Sequence, residues 1–288
     1  MLIVKVCGGL GNQMFQYAFY EFLKKNNENV YLDVSDFKIH KHHTGYELER
    51  VFGVNANEAD TQMLRSIAVN ANSPVIRCIR KLYKVEVRTF KECVAYYPFI
   101  SVDEQKIEDD VYFDGFWQNT KYLEPVRVKL EKTFQYKNIL TEKNKELENF
   151  IAKNECVALH VRRGDYLNSA KLSNVCNLDY YKKAIEYVKT EVNGICKFVV
   201  FSDDMKWAKD HLGLPEDTVY VDWNTGKDSY IDMQLMGMCK HSIIANSTFS
   251  WWPAWLKAEK SDGIIIMPKR WFTDENSERL TIKRSIKL

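Results

Sequence analysis

Beyond residue 155 the chain alternates short apolar runs with helical periodicity, and this alternation restricts the fold more than any other feature. The apolar runs fall at 156–161, 198–201, 219–221, 242–245 and 263–267, and helical patterns lie between most of them, at 179–191, 205–212, 231–239 and 251–258. Strands that alternate with helices pair in parallel, and the crossover helices cover both faces of the sheet. The second half is therefore expected to be Rossmann-like. The first half opens in a similar way. An apolar run at 2–6 ends in Gly8-Gly9-Leu10-Gly11, a helical pattern starts at Asn12 and stops at Asn26-Asn27, and Val30-Tyr31-Leu32 reads as the next strand. Residues 36–60 read as loops, with helices near 60–70 and 74–84, a strand at 111–113, and helices at 122–134 and 142–153. These patterns predict two domains, 1–140 and 141–288.

Bulk properties exclude several classes. A net charge of +2 gives no basic field for nucleic acid. No run of about 18 apolar residues exists to span a membrane, and the start of the chain lacks the pattern of a signal peptide. The expected location is the cytoplasm, with peripheral contact at the inner membrane left open. Seven cysteines occur without a Cys-x-x-Cys pair and read as free thiols.

In an open parallel sheet, ligands bind beyond the carboxyl ends of the strands. The residues there are small, polar or charged. Arg162-Arg163-Gly164-Asp165 follows one strand. A guanidinium offers a planar fork of donors that matches phosphate oxygens, and glycine lets a ligand approach the backbone. A structural Arg–Asp pair is the alternative. His160, at the same strand end, reads either as a ligand contact or as a packed core histidine.

The glycine loop feeds a helix N-terminus, which favours anions, although neither a dinucleotide fingerprint nor a P-loop is met. Asn12 reads equally as the N-cap of that helix. Asp203-Asp204 can accept from guanine or ribose, or one of them can cap the helix at Met205. Asn246-Ser247-Thr248-Phe249-Ser250 offers hydroxyl and N–H groups to a phosphate, followed by Trp251 and Trp252 as packing residues. His40, His42 and His43 read as a solvated loop, and Arg77, Arg80, Lys81 and Lys84 as a solvated helix face. No Asp-x-Asp occurs in the chain, so no metal is expected.

Together, Gly8-Gly9-Leu10-Gly11-Asn12-Gln13-Met14-Phe15-Gln16-Tyr17, His160-Val161-Arg162-Arg163-Gly164-Asp165-Tyr166, Phe201-Ser202-Asp203-Asp204 and Asn246-Ser247-Thr248-Phe249-Ser250-Trp251-Trp252 resemble the α-1,2-fucosyltransferases of glycosyltransferase family 11, the bacterial members above all. The resemblance runs from Leu2 to about Trp271. It implies a GT-B fold, two Rossmann-like domains with the active site in the cleft between them. It also implies inverting transfer of fucose from GDP-β-L-fucose to the 2-hydroxyl of a terminal galactose-type residue, on a glycan or a lipid-linked oligosaccharide. By this resemblance Arg162 holds the diphosphate, with His160 and Arg163 beside it. Asp203 or Asp204 reads the nucleoside, and Ser247 and Thr248 lie near the phosphates. Gly9, Gly11, Asp165, Asn246 and Phe249 complete the donor set. Asn12 lies near the transfer point, with Glu47, Asp114 and Gln118 on the acceptor.

Inversion needs one displacement through an oxocarbenium-like transition state. Stabilisation of the leaving diphosphate by Arg162 is the largest catalytic effect the residues suggest. Asp114, Glu47 and Asp165 are base candidates, and Asn12 is a candidate for relaying the proton through water. A transferase using another GDP-sugar such as GDP-mannose, and a non-catalytic glycan-binding protein on the same fold, are the competing readings.

Overall fold

The computed structural model describes residues 1–39, 44–67, 88–91, 107, 110–192 and 196–288. The chain divides into two compact units, Met1–Lys137 and Asn138–Leu288.

The first unit is built on β1 (Leu2–Lys5), α1 (Leu10–Lys24), β2 (Val30–Asp33), α2 (Ser35–Ile39), α3 (Leu48–Phe52), α4 (Thr61–Ser66), β3 (Arg88–Lys91) and β4 (Val111–Asp114). The strands pair in parallel in the order β2-β1-β4-β3. α1 is buried at 13 of its 15 positions, as a helix apolar on most sides must be. Its Phe19 stacks on Trp117 at 4.2 Å.

Three sequence expectations change in this unit. The stretch 36–60 is not all loop. α2 starts where Asp33 accepts from the Ser35 N–H, and α3 buries Leu48, Val51 and Phe52 before Gly53 ends it at φ +68°. Helices of five residues carry too few apolar positions to show a period. The expected helix at 122–134 is broken into α5 (Thr120–Leu123), a 3-10 turn (Glu124–Val126) and α6 (Arg127–Thr133), because Pro125 lacks the donor that would continue the ladder. Gly9, not Asn12, is the N-cap of α1, which begins at Leu10. The pattern expected at 74–84, with its basic face, and the histidine cluster lie outside the described residues.

The second unit contains α7 (Glu142–Lys153), β5 (Cys156–Val161), α8 (Leu178–Glu191), β6 (Lys197–Ser202), α9 (Met205–His211), β7 (Val219–Val221), α10 (Tyr230–Met238), β8 (His241–Ile243), α11 (Thr248–Lys257), β9 (Ile265–Met267), β10 (Arg270–Phe272), β11 (Glu275–Asn276) and β12 (Ile286–Lys287). Its six-stranded sheet is parallel, in the order β12-β9-β8-β5-β6-β7. Alternate residues of β5 and β6 enter two cores. Val157, Leu159, Val161, Phe198 and Val200 pack under α8, while Cys156, Ala158, Val199 and Phe201 pack under α7 and α10. Burial on both faces is why these strands read as unbroken apolar runs.

Helix α11 starts at Thr248, three residues before its apolar stretch, so Thr248, Phe249 and Ser250 form its first turn and not a loop. The β10–β11 hairpin and β12 were not legible. They are two or three residues long, and β12 gains its place only by pairing with β9. Trp251, Trp252 and Trp255 are fully buried, as packing residues.

The chain reverses direction twice in the first sheet and once in the second. In the first it moves from β1 out to β2, crosses to β3 at the opposite edge and turns back to β4, between β1 and β3. In the second it moves from β5 to β6 and β7 and returns to β8 on the other side of β5. Such a reversal opens a crevice at the carboxyl ends of the two diverging strands. The crevice of the first unit lies between the loops after β1 and β4, and that of the second between the loops after β5 and β8.

Candidate active site

The crevice of the second unit is lined with charge. Arg162, directly after β5, bonds Asp165 Oδ1 at 2.7 Å through one terminal nitrogen and Asp203 Oδ2 at 3.1 Å through the other. Its guanidinium lies 5.3 Å from the Tyr166 ring centre. Asp203 also accepts from the Arg163 N–H at 2.8 Å. A Cβ at Gly164 would stand 2.8 Å from the Asp203 carboxylate, so glycine is what lets Asp203 reach Arg162. Arg163 points elsewhere. Its Nε donates to Asp204 at 3.2 Å and its guanidinium covers Trp207 at 4.1 Å. Asp204 in turn caps α9 by accepting from the Trp207 N–H at 3.1 Å. Two guanidinium groups thus meet three carboxylates, a formal balance of −1.

Across the switch point stands the N-terminus of α11, capped by Ser247. The Asn246 side chain is buried and donates to the Trp271 carbonyl at 3.1 Å, so it fixes the loop and does not face outward. Tyr166 donates to the Asn246 carbonyl at 3.2 Å. Burial raises its pKa to about 12, so it stays a neutral donor. His160 is buried on β5, its Nδ1 2.8 Å from Ser250 Oγ and its ring 5.9 Å from Phe249. Burial, helped by the Arg162 charge, lowers its pKa to about 3. Near neutral pH the imidazole carries no positive charge, so it can join a hydrogen-bond chain but cannot clamp a phosphate as a cation.

The crevice of the first unit is held by amides. Gly8 lies at φ +78°, and a Cβ there would meet Asn12 Nδ2 at 2.8 Å. Gln118, buried on the loop after β4, donates to Asn12 Oδ1 at 3.0 Å, while its own Oε1 is buried without a partner. Gly9 and Gly11 open α1, and the Gly9 carbonyl accepts from the Asn12 and Gln13 N–H groups. Asp114 ends β4, 3.6 Å from Lys5 Nζ. Glu47 is buried and bonds Arg50 at 2.5 Å, so its charge is already matched. The structure therefore brings Asn12, Gln118 and the glycine loop together, and separately Arg162, Asp165 and Asp203.

Two groups escaped the sequence reading. Gln13 and Gln16 are fully buried on α1 and bond the surrounding loops. Asp232, in the first turn of α10, accepts from Asn224 at 2.7 Å. Asn224 in turn pairs with Asn144, which also accepts from the Trp223 indole at 2.8 Å. Burial raises the Asp232 pKa to about 7. The available signal was a lone carboxylate within the apolar stretch Tyr230-Ile231-Asp232-Met233.

Solved structures with a comparable arrangement of parallel sheets are glycosyltransferases. The fucosyltransferase NodZ from Bradyrhizobium is similar at a TM-score of 0.52, over 88% of this chain and 92% of that one, with 12% identity. At such identity the likeness is one of fold, and the fold is of the GT-B type. The sequence profile described as Glycosyl transferase family 11 matches residues 87–288. The chain belongs to this family and is an enzyme, a glycosyltransferase. The α-1,2-colitosyltransferase of Escherichia coli is 34% identical over 96% of this chain and 93% of its own length. The O-antigen biosynthesis glycosyltransferase WbnK of Escherichia coli is 29% identical over 98% of both. Among the described residues, no helix is long and apolar enough to cross a membrane.

Proposed function

We propose that the enzyme transfers L-fucose from GDP-β-L-fucose, with inversion and without a metal, to the 2-hydroxyl of a terminal galactose-type residue. The observation that carries this reading is Arg162 at the β5–β8 switch point, across from the N-terminus of α11. In the reaction the acceptor oxygen bonds to the anomeric carbon as the bond to the diphosphate oxygen breaks. The electron pair leaves with GDP, whose growing charge falls on Arg162. Asp165, mostly exposed, occupies one edge of the guanidinium beforehand. An exposed pair of this kind is worth about 1 kcal/mol or less, so a diphosphate displaces it readily. Of the base candidates, Asp114 holds its cation most loosely, 3.6 Å from Lys5, against 2.5 Å for Glu47 with Arg50 and 2.7 Å for Asp165 with Arg162, and it is the candidate to take the acceptor's proton.

Transfer to a glycan or a lipid-linked oligosaccharide fits the relationship to WbnK. Colitosyl transfer is the second reading, favoured by the 34% identity to the colitosyltransferase. Incubation with GDP-fucose and with nucleotide-activated colitose over a panel of galactosides, followed by linkage analysis, decides between them. Absence of transfer from either donor would sink both. Activity abolished by EDTA and restored by Mg²⁺ or Mn²⁺ would reject metal independence.

A further inference from the structure

Gln13 and Gln16 lie one turn apart on α1 and are fully buried. A buried amide is costly unless its donors and acceptor are bonded, and here they bond almost wholly to backbone. Gln13 Nε2 donates to the carbonyls of Gly8 and Gly45, both at 2.9 Å, and its Oε1 accepts from the Glu47 N–H at 2.9 Å. Gln16 Nε2 donates to the Gly115 carbonyl at 2.9 Å, and its Oε1 accepts from the Cys7 N–H at 3.0 Å. The two side chains thus join three segments that are far apart in sequence: the glycine loop after β1, residues 45–47, and the loop after β4. Three residues beyond Gly115, Gln118 reaches Asn12. Between them Trp117 sits at φ +54°, a conformation a bulky residue keeps only when its surroundings over-determine it.

We propose that Gln13 and Gln16 are positioning residues of the transfer reaction. They lock the loops that flank Asn12 and Asp114 and carry Gln118 into one arrangement for the acceptor sugar. This rests on the reading of the first unit as the acceptor side. Packing alone does not call for amides, since the other buried residues of α1, Gly11 and Glu21 apart, are aromatic or aliphatic.

The test uses Gln13→Leu, Gln16→Leu and Gln13→Glu in the full chain, with three readouts: amide hydrogen exchange, GDP affinity, and steady-state kinetics with GDP-fucose and a galactoside. Exchange at the Glu47 amide should quicken in Gln13→Leu and at Cys7 in Gln16→Leu, while the middle of α1 stays protected. GDP affinity should hold within about twofold while acceptor kcat/KM falls about 100-fold, the scale of a misplaced reacting group. Gln13→Glu should regain activity as pH falls, because the protonated carboxyl recovers one donor. Unchanged exchange at both amides, or acceptor kcat/KM within about threefold of wild type, overturns the proposal. So does a parallel loss of α1 protection and GDP affinity, which marks a purely structural role. If the wild type neither binds GDP nor transfers sugar, the functional reading fails first, and the exchange data alone judge the locking of the loops.

Discussion

The two units both place polar residues beyond the carboxyl ends of two neighbouring parallel strands, yet hold them by different forces. In the second unit the crevice is organised by ions, with Arg162 between Asp165 and Asp203 and Arg163 between Asp204 and the Trp207 ring. In the first it is organised mainly by neutral amides, Asn12, Gln13, Gln16 and Gln118, beside the ion pairs of Asp114 with Lys5 and Glu47 with Arg50. Charge-assisted hydrogen bonds are about twice as strong as neutral ones, and ions suit a ligand that arrives charged. Neutral amides offer both donors and acceptors at fixed angles, which suits hydroxyl groups. The contrast teaches that parallel sheets within one chain can present ions or neutral amides beyond their strand ends.

The largest effect should come from Arg162. Arg162→Ala is expected to lower kcat by about 100- to 1,000-fold, the cost of one preorganised charge donor. Arg162→Lys should do little better, because an ammonium cannot replace a fork held on two sides. Near-normal turnover by the lysine variant in steady-state assays would break the comparison. Gly164→Ala comes next. Its Cβ would press on Asp203 at 2.8 Å, turn Arg162, and weaken GDP binding about tenfold, or about 1.4 kcal/mol by calorimetry.

A pH effect should follow from Asp232. Its folded pKa of about 7 exceeds the ordinary value of 3.8, so between these limits the folded protein keeps a proton the unfolded chain has lost. Stability therefore falls as pH rises from about 4 to about 7, by at most about 1.4 kcal/mol per unit, and levels off above. Asp232→Asn should remove this slope and melt higher than wild type at alkaline pH. An unaltered pH profile of the melting temperature would refute it.

Arg163→Met should cost about 1 kcal/mol of stability through its cation–π contact with Trp207 and its ion pair with Asp204, with far less effect on GDP affinity than any Arg162 variant. Asp165→Ala should tighten GDP by a few-fold at most, since it frees one edge of Arg162 from a weak exposed pair. Weaker GDP binding in Asp165→Ala would show that the carboxylate serves the donor and does not compete with it.

Much of the second unit was legible because parallel strands buried on both faces announce themselves, as β5 and β6 do. The strand-end residues could be found by the same logic. Their partners could not. Arg162 and Asp203 are 41 positions apart, and only the pairing of β5 with β6 brings them together. The side-chain directions were equally hidden. Adjacent arginines look alike in sequence, yet one spans two carboxylates at the switch point and the other lies on an indole. In the first unit, Gln13 and Gln16 passed as ordinary helix residues because their bonds go to backbone that the sequence cannot place. The short helices α2 and α3 carried no period to read.

The tryptophans of α11 have an optical consequence. Trp251 and Trp255 stack at 5.7 Å with Trp252 set edge-on at 5.3 Å, all sealed from solvent. Trp207 is only partly buried and lies beneath Arg163. Three closely coupled indoles in an apolar setting emit at short wavelength and are shielded from soluble quenchers, while Trp207 emits further to the red and is open to them. Red-edge excitation therefore favours the partly buried indoles, Trp207 and Trp223, and in a Trp223→Phe variant it would leave the indole beneath Arg163 as the reporter.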